Sequence, residues 1–338
     1  MNTDPIVAVT LGDPVGIGPE IVARTFATAA ADVAARGLAV GDPDVLRRAV
    51  EVCGLDLDVR GVEEIAAAGF EPGTVDVLDT HSLDDELPWG QVDARAGRAA
   101  IAAIERATHA ALAGEAHAVV TGPINKEAIW AAGSEHLGHT EMLGALTGSG
   151  KPATMFVVRQ LQIFFTTRHM ALRDALDAIT RESVLAGIEG SWTALQVYGY
   201  DQPRLAVAAL NPHGGEGGNF GTEEIEHIAP ACEDARAADM PVIGPVPADS
   251  VFHQGIEGRF DGVLSHFHDQ GHIAAKTFDF ADTVSVTVGI PIVRTSVDHG
   301  TAFDIAGTGE ASADTMIAAY RAGARFAPYA DRARKQWG

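Results

Sequence analysis

Short apolar, β-branched runs alternate along the chain with alanine-rich amphipathic stretches. Strands are expected at "IVAVTLG" from Ile6, "HAVVTGP" from His117, "ATMFVV" from Ala153 and "LQIFFTT" from Leu161. Further strands are expected at "RLAVAAL" from Arg204, "DGVLSHF" from Asp261, "TVSVTVG" from Thr283 and "IVRTS" from Ile292. Helical periodicity covers roughly 92–113, 181–198, 223–238 and 311–326. Several strand runs are apolar at nearly every position, as happens when helices cover both faces of a sheet. The alternation is that of an α/β protein. Only two residues separate 153–158 from 161–167, which predicts a hairpin and hence a mixed sheet. The acidic, turn-rich stretch 71–91 reads as a surface excursion. No repeat, low-complexity tract or linker marks a domain boundary.

A chain of 338 residues fits two domains or one large α/β unit. A formal net charge of −22 argues against nucleic acid as a partner, because phosphate binding needs a basic face. A small anionic substrate remains compatible, since a local basic pocket can sit in an acidic surface. Cys53 and Cys232 lie far apart and outside any CxxC pair, against a disulfide framework or thiolate metal site. The first residues carry no basic, apolar leader, and no apolar run reaches membrane-spanning length. A cytoplasmic protein with no membrane partner is expected.

Five motifs carry candidate chemistry. "LGDPVGIGPE", from Leu11, follows a strand and opens a helix with Pro19 in its first turn. It is not a Rossmann phosphate loop: GxGxxG is absent, and Glu20 puts negative charge where a pyrophosphate would lie. "TGPINKEAI", from Thr121, stands at a strand end, where open α/β sheets bind ligands. Its Lys126 is either an anion ligand or a solvated helix residue. "GHTE" places His139 and Thr140 at a helix start; Thr140 is either an N-cap or an anion contact. Histidines gather at strand ends: His169, His213 within the glycine-rich "NPHGGEGG", and His266, His268 and His272 in "SHFHDQGH". Three neutral imidazoles with an open position suit Zn²⁺ or a similar divalent ion, with Asp269 as a supporting partner or base. Which three converge is left open by the residues themselves. Arg294 lies in an otherwise apolar strand and needs an anion, either Asp298 or a ligand. Lys276 would add a second positive charge.

Taken in order, "GDPVGIGPEI", "TGPINKEAI", "GHTE", "NPHGGEGG", "PADSVF", "HDQGH" and "RTSVDHGTAFDIAGTG" resemble the 4-hydroxythreonine-4-phosphate dehydrogenase (PdxA-like) family of vitamin B6 biosynthesis, over about residues 6–325. The resemblance implies an isocitrate/isopropylmalate-dehydrogenase-like fold of two α/β domains with a cleft between them, here divided as 1–135 plus 300–338 and 136–299. It implies NAD or NADP and one divalent metal ion (Zn, Mg, Mn or Co) per active site. It also implies a homodimer with active sites near the interface. By motif, the metal ligands would be His169, His213 and His268, and the cofactor would approach Gly214, Glu216 and Gly217. Substrate contacts would be His139, Thr140, Lys276, Ser285 and Arg294. Asp249 or Asp269, with Lys276, would do the catalytic proton work. The implied reaction oxidises a secondary alcohol of a phosphorylated hydroxy acid, 4-hydroxythreonine 4-phosphate first among them, to a 3-keto acid that can decarboxylate.

Three departures bear on the substrate. Ser285 stands where the family has asparagine, Arg168 precedes His169 where the family has threonine, and His266 enters "HFHDQG" in place of "MYHDQG". They admit another four-carbon sugar-acid phosphate or a cis-dihydrodiol carboxylate as substrate. A metal-dependent hydrolase and a non-catalytic binding protein are the alternatives outside redox chemistry.

Overall fold

A computed structural model describes residues 4–29, 32–150 and 152–338. Among these, twelve strands form: β1 (Ile6–Thr10), β2 (Arg36–Gly41), β3 (Asp58–Val62), β4 (Thr74–Asp79), β5 (Ala118–Thr121), β6 (Ala153–Val158), β7 (Leu161–Phe165), β8 (Leu205–Ala208), β9 (Ile243–Val246), β10 (Gly262–Ser265), β11 (Thr283–Val288) and β12 (Arg294–Ser296). Two compact units result, Met1–Ala153 with Val284–Gly338, and Thr154–Thr283. The division expected at 135/136 and 299/300 lies elsewhere. Because β12 pairs in parallel with β5, residues 284–299 belong to the first unit.

In the first unit the strands run β3-β4-β2-β1-β5-β12-β11, and β11 alone is antiparallel to its neighbour. All residues of β1 and β5 are buried, as two-sided helix cover requires. Helix Ala94–Ala113 is capped by the Asp93 side chain, which accepts from the Arg95 N–H, and ends at left-handed Gly114. It presses against the short helix Lys126–Ala131 at Gly97, where a Cβ would meet the Ala128 carbonyl oxygen at 2.1 Å.

The second unit runs β6-β7-β10-β8-β9, with the expected β6/β7 hairpin antiparallel and the remaining pairs parallel. The sheets are thus mixed in both units. All eight expected strands form. Three of the four expected helices form as Ala94–Ala113, Arg181–Val197 and Asp314–Phe326. The fourth opens as a π-turn, Glu224–Ile228, before α-helix Ala229–Ala237, whose first turn holds Pro230.

The stretch 71–91 is not wholly a surface excursion. It contains β4, which is largely buried and hydrogen-bonded to both β2 and β3. Its acidic look comes partly from Asp76, only 1% exposed, which accepts from Arg60 Nε at 2.6 Å and the Phe70 N–H at 2.7 Å. A paired buried carboxylate disguises an inner strand as surface.

Candidate active site

In the first unit the polar groups cluster around Arg294. Its register places it opposite Thr287 on β11 and beside Val119 on β5, so Thr121, two residues along, lies on the same face. The guanidinium is 4% exposed. Nε and Nη2 donate to Thr121 Oγ1 at 3.2 and 2.5 Å, and Nη1 donates to Thr287 Oγ1 at 3.1 Å. Among the described residues these hydroxyls are its only hydrogen-bond partners, so Asp298 does not neutralise it. Burial pulls its pKa down to about 9.

His139 opens helix His139–Thr147, with Gly138 as the N-cap. Thr140 therefore does not cap the helix. His139 Nε2 is shielded from solvent and has no hydrogen-bond partner among the described residues. Burial, reinforced by the Arg294 charge, holds His139 well below the ordinary imidazole range and hence neutral. Ser285 is half-buried and faces Ser296 across the β11/β12 pair. Lys126 is exposed at the start of its helix, behind the Asn125 cap.

In the second unit His169 and His268 come together, ring centroids 5.9 Å apart, beside a cavity of about 240 Å³ also lined by Arg168, Phe267 and Asp269. His268 begins helix His268–Phe278, and its ring stacks on His272 at 3.6 Å. Its Nδ1 is hydrogen-bonded to Asp269 Oδ1 at 2.7 Å, which leaves Nε2 with a lone pair for a metal. Lys276 lies further along this helix, with Nζ 5.5 Å from the Phe280 ring centre. Asp249 is exposed in the first turn of helix Ala248–Ile256.

His213 is exposed and begins six consecutive residues with positive φ, His213 to Gly218. Glycine supplies that geometry freely, whereas His213 at φ 55° and Glu216 at φ 46° are strained. Glu224 braces the loop from beneath: its carboxylate accepts from the Leu210 and Asn211 N–H groups and from Asn211 Nδ2, at 2.7–2.9 Å. Burial opposes its ionisation, but these hydrogen bonds hold its pKa below the ordinary range. Gly214, Glu216 and Gly217 share the turn. The structure does not gather His213 with the other two imidazoles: among the described residues, no group of three His, Cys, Asp or Glu side chains is placed to hold a metal. The donor types fit a divalent ion, and the His169/His268 pair supplies two of them.

His266 is structural. It is fully buried, its Nε2 lies 2.6 Å from the Ala208 carbonyl, and burial lowers its pKa to about 4. The strand ends at Ser265, so His266 and His268 do not share a strand face. Sequence reasoning passed over several polar groups. Thr121 and Thr287 were signalled only by the alternation of "TVSVTVG" and the strand end "TGP". Glu20 is fully buried and accepts from the Gly307 and Gly309 N–H groups, so it fastens a loop. Asp13 is also fully buried; it accepts from the Val15 N–H while its Oδ2 has no hydrogen-bond partner among the described residues, and burial raises its pKa to about 6.

Helix-flanked, largely parallel sheets, with a buried guanidinium and a neutral imidazole in the first unit and an imidazole pair beside a cavity in the second, are features of an α/β enzyme. The chain matches the family described as "Pyridoxal phosphate biosynthetic protein PdxA" over residues 33–323, and it belongs to that family. It is 53% identical over its whole length to 98% of a protein of Cutibacterium acnes named "Putative D-threonate 4-phosphate dehydrogenase". Among solved structures, the 4-hydroxythreonine-4-phosphate dehydrogenase of Klebsiella pneumoniae superposes with a TM-score of 0.90 at 41% identity, covering 96% of this chain and 98% of that one. A terephthalate 1,2-cis-dihydrodiol dehydrogenase of Burkholderia xenovorans superposes at 0.67 and 31% identity, covering 95% and 98%. The fold is of the isocitrate/isopropylmalate-dehydrogenase-like type, and the protein is a dehydrogenase with NAD-type cofactor chemistry. No helix among the described residues is long and apolar enough to cross a membrane.

Proposed function

We propose that the protein oxidises the C3 alcohol of a four-carbon hydroxy acid 4-phosphate, with NAD or NADP as acceptor. The observation that carries this reading is Arg294: a buried guanidinium with no carboxylate partner among the described residues suits an anion. His139 would hydrogen-bond the same end of the substrate, with Thr140 and Ser285 beside it and Lys276 as the second cation. A divalent ion (Zn, Mg, Mn or Co) held by His169, His213 and His268 would supply Lewis acidity toward the C3 oxygen. Asp269 orients His268, and either it or Asp249 accepts the hydroxyl proton through water. NAD or NADP, when bound, would supply the acceptor for the C3 hydride, and a 3-keto acid product can lose CO₂. The left-handed turn at Gly214, Glu216 and Gly217 lets backbone approach the cofactor closely.

The same reading includes a cytoplasmic homodimer with active sites near the interface. Exposed apolar residues support it: Met170, Leu172 and Ile273 lie beside His169 and on the helix of His268. The His213 loop would complete the imidazole set within that assembly.

4-Hydroxythreonine 4-phosphate is the first candidate substrate, supported by the names of the 41%-identical structures. D-threonate 4-phosphate is the second. It is supported by the 53%-identical relative and by Ser285, whose hydroxyl suits a C2 alcohol where an amide carbonyl would accept from a C2 ammonium. Initial rates of NAD(P)H formation with both compounds and their unphosphorylated forms test the proposal. Turnover that requires the 4-phosphate supports the class, and the ratio of kcat/KM values chooses the substrate. Equal rates without phosphate would refute the proposal.

A further inference from the structure

The way Arg294 is held carries an inference beyond its role as an anion contact, although it rests on that role. A buried guanidinium is ordinarily satisfied by a carboxylate. Here both supports are neutral hydroxyls, and both come from the sheet itself: Thr287 directly across the β11/β12 pair and Thr121 diagonally on β5. Thr121 is fully buried and Thr287 is 1% exposed, so neither can be replaced by bulk water. Of the five guanidinium N–H groups, three are engaged, at Nε, Nη1 and Nη2. Among the described residues one N–H on each terminal nitrogen has no acceptor, enough for a two-point contact with an oxyanion. The unpartnered His139 Nε2 lies in the same electrostatic neighbourhood.

We propose that Thr121 and Thr287 are positioning residues that fix the orientation of Arg294 while leaving its charge undischarged, and so set the affinity for the anionic group of the substrate. A carboxylate at either position would hold the guanidinium at least as firmly. It would also cancel the field that attracts the ligand. Hydroxyls give direction without neutralisation.

The two roles of a hydrogen-bond partner, satisfying a buried donor and preserving its charge, separate on substitution. Thr121→Val keeps the shape and removes the acceptor. Thr121→Ser keeps the acceptor. Thr287→Asp keeps an acceptor at nearly the same volume and adds the neutralising charge. Each variant would be assayed for KM and kcat with the phosphorylated substrate that wild type turns over, for competitive inhibition by inorganic phosphate, and for folding by circular dichroism and Tm.

Thr121→Val should raise KM and the phosphate inhibition constant by about ten- to a hundredfold, the loss of one or two charge-assisted hydrogen bonds, with kcat nearly kept. Thr121→Ser should stay within about threefold, as expected when the acceptor is retained. Thr287→Asp should lose phosphate inhibition while its Tm equals or exceeds that of wild type. Thr287→Asp inhibited by phosphate as strongly as wild type would overturn the proposal, as would Thr121→Val with an unchanged KM. If Thr121→Val does not fold, the comparison of Thr121→Ser with Thr287→Asp carries the test. Arg294→Met is the control for the underlying reading. If Arg294→Met itself leaves KM and phosphate inhibition unchanged, Arg294 does not receive the anion. If only the threonine variants are silent, the clamp alone fails.

Discussion

Replacing Arg294 with methionine should have opposite effects on activity and stability. Methionine keeps much of the side-chain length and removes the charge. In the folded protein Arg294 is 4% exposed and its guanidinium is repaid by three hydrogen bonds to hydroxyls, with no carboxylate paired to it among the described residues. Burial alone depresses its pKa to about 9, a direct sign of the desolvation it bears. Replacing such a group by an apolar one is about neutral, or stabilising by roughly 1–4 kcal/mol in the most favourable cases. The hydroxyls of Thr121 and Thr287 lose donors, which offsets part of that gain. The Tm should therefore hold or rise slightly. Binding of the transition state loses a desolvated ion pair, about 2–5 kcal/mol, or roughly thirtyfold to several thousandfold in kcat/KM. Steady-state kinetics beside thermal denaturation reads both quantities. A kcat/KM within a factor of two of wild type, together with a sharp fall in Tm, would refute the reasoning and make Arg294 a structural residue.

Three further outcomes follow from other parts of the site. His213→Ala should sharply reduce bound metal by elemental analysis while circular dichroism stays unchanged, because an exposed loop residue contributes little packing; full metal occupancy would remove His213 from the ligand set. Ser285→Asn should raise kcat/KM for 4-hydroxythreonine 4-phosphate and lower it for D-threonate 4-phosphate if the serine tunes the pocket for the latter; a fall with both compounds would show that it does not. Asp13 binds its proton more tightly folded than unfolded, its pKa rising from 3.8 to about 6. The sign is therefore a penalty that is absent below pH 4, grows as pH rises through 6, and reaches about 3 kcal/mol above it. Asp13→Asn should remove that pH dependence, so the variant gains on wild type between pH 4 and pH 7 in urea titrations; parallel curves would place the carboxyl pKa near its unfolded value.

Much of the fold was legible because burial on both sides of a parallel strand writes itself as an apolar run. β1, β5, β6 and β7 were plain for that reason. β4 was not, because Asp76 carries its own counter-ion from Arg60 and so interrupts the run without exposing the strand. β2 and β3 were hidden by glycines at Gly37, Gly41 and Gly61, which lower strand propensity where neighbours pack closely. In the site, the residue types could be read along the chain, but their convergence could not. His268 and His272 stand four residues apart on one helix, and their rings stack. The sequence suggested a carboxylate partner for Arg294. Two threonines hold it instead, and only strand register reveals them. His266 looked like a fourth ligand candidate because its neighbours are polar, whereas its ring faces inward to the Ala208 carbonyl.

The placement of β12 between β5 and β11 has a consequence for how the protein is made. On the ribosome β1 to β5 emerge first, and Arg294 follows Thr121 by 173 residues. At about 5–20 residues per second, the nascent chain waits roughly 10 to 35 s with one edge of β5 unpaired. An apolar, unpaired parallel edge is a template for pairing with other chains. The second unit, Thr154–Thr283, is continuous and can finish folding during that interval. Thr121, which later accepts from Arg294, sits on the waiting edge, so translation completes the sheet and the hydrogen bonds of that buried guanidinium in one late event.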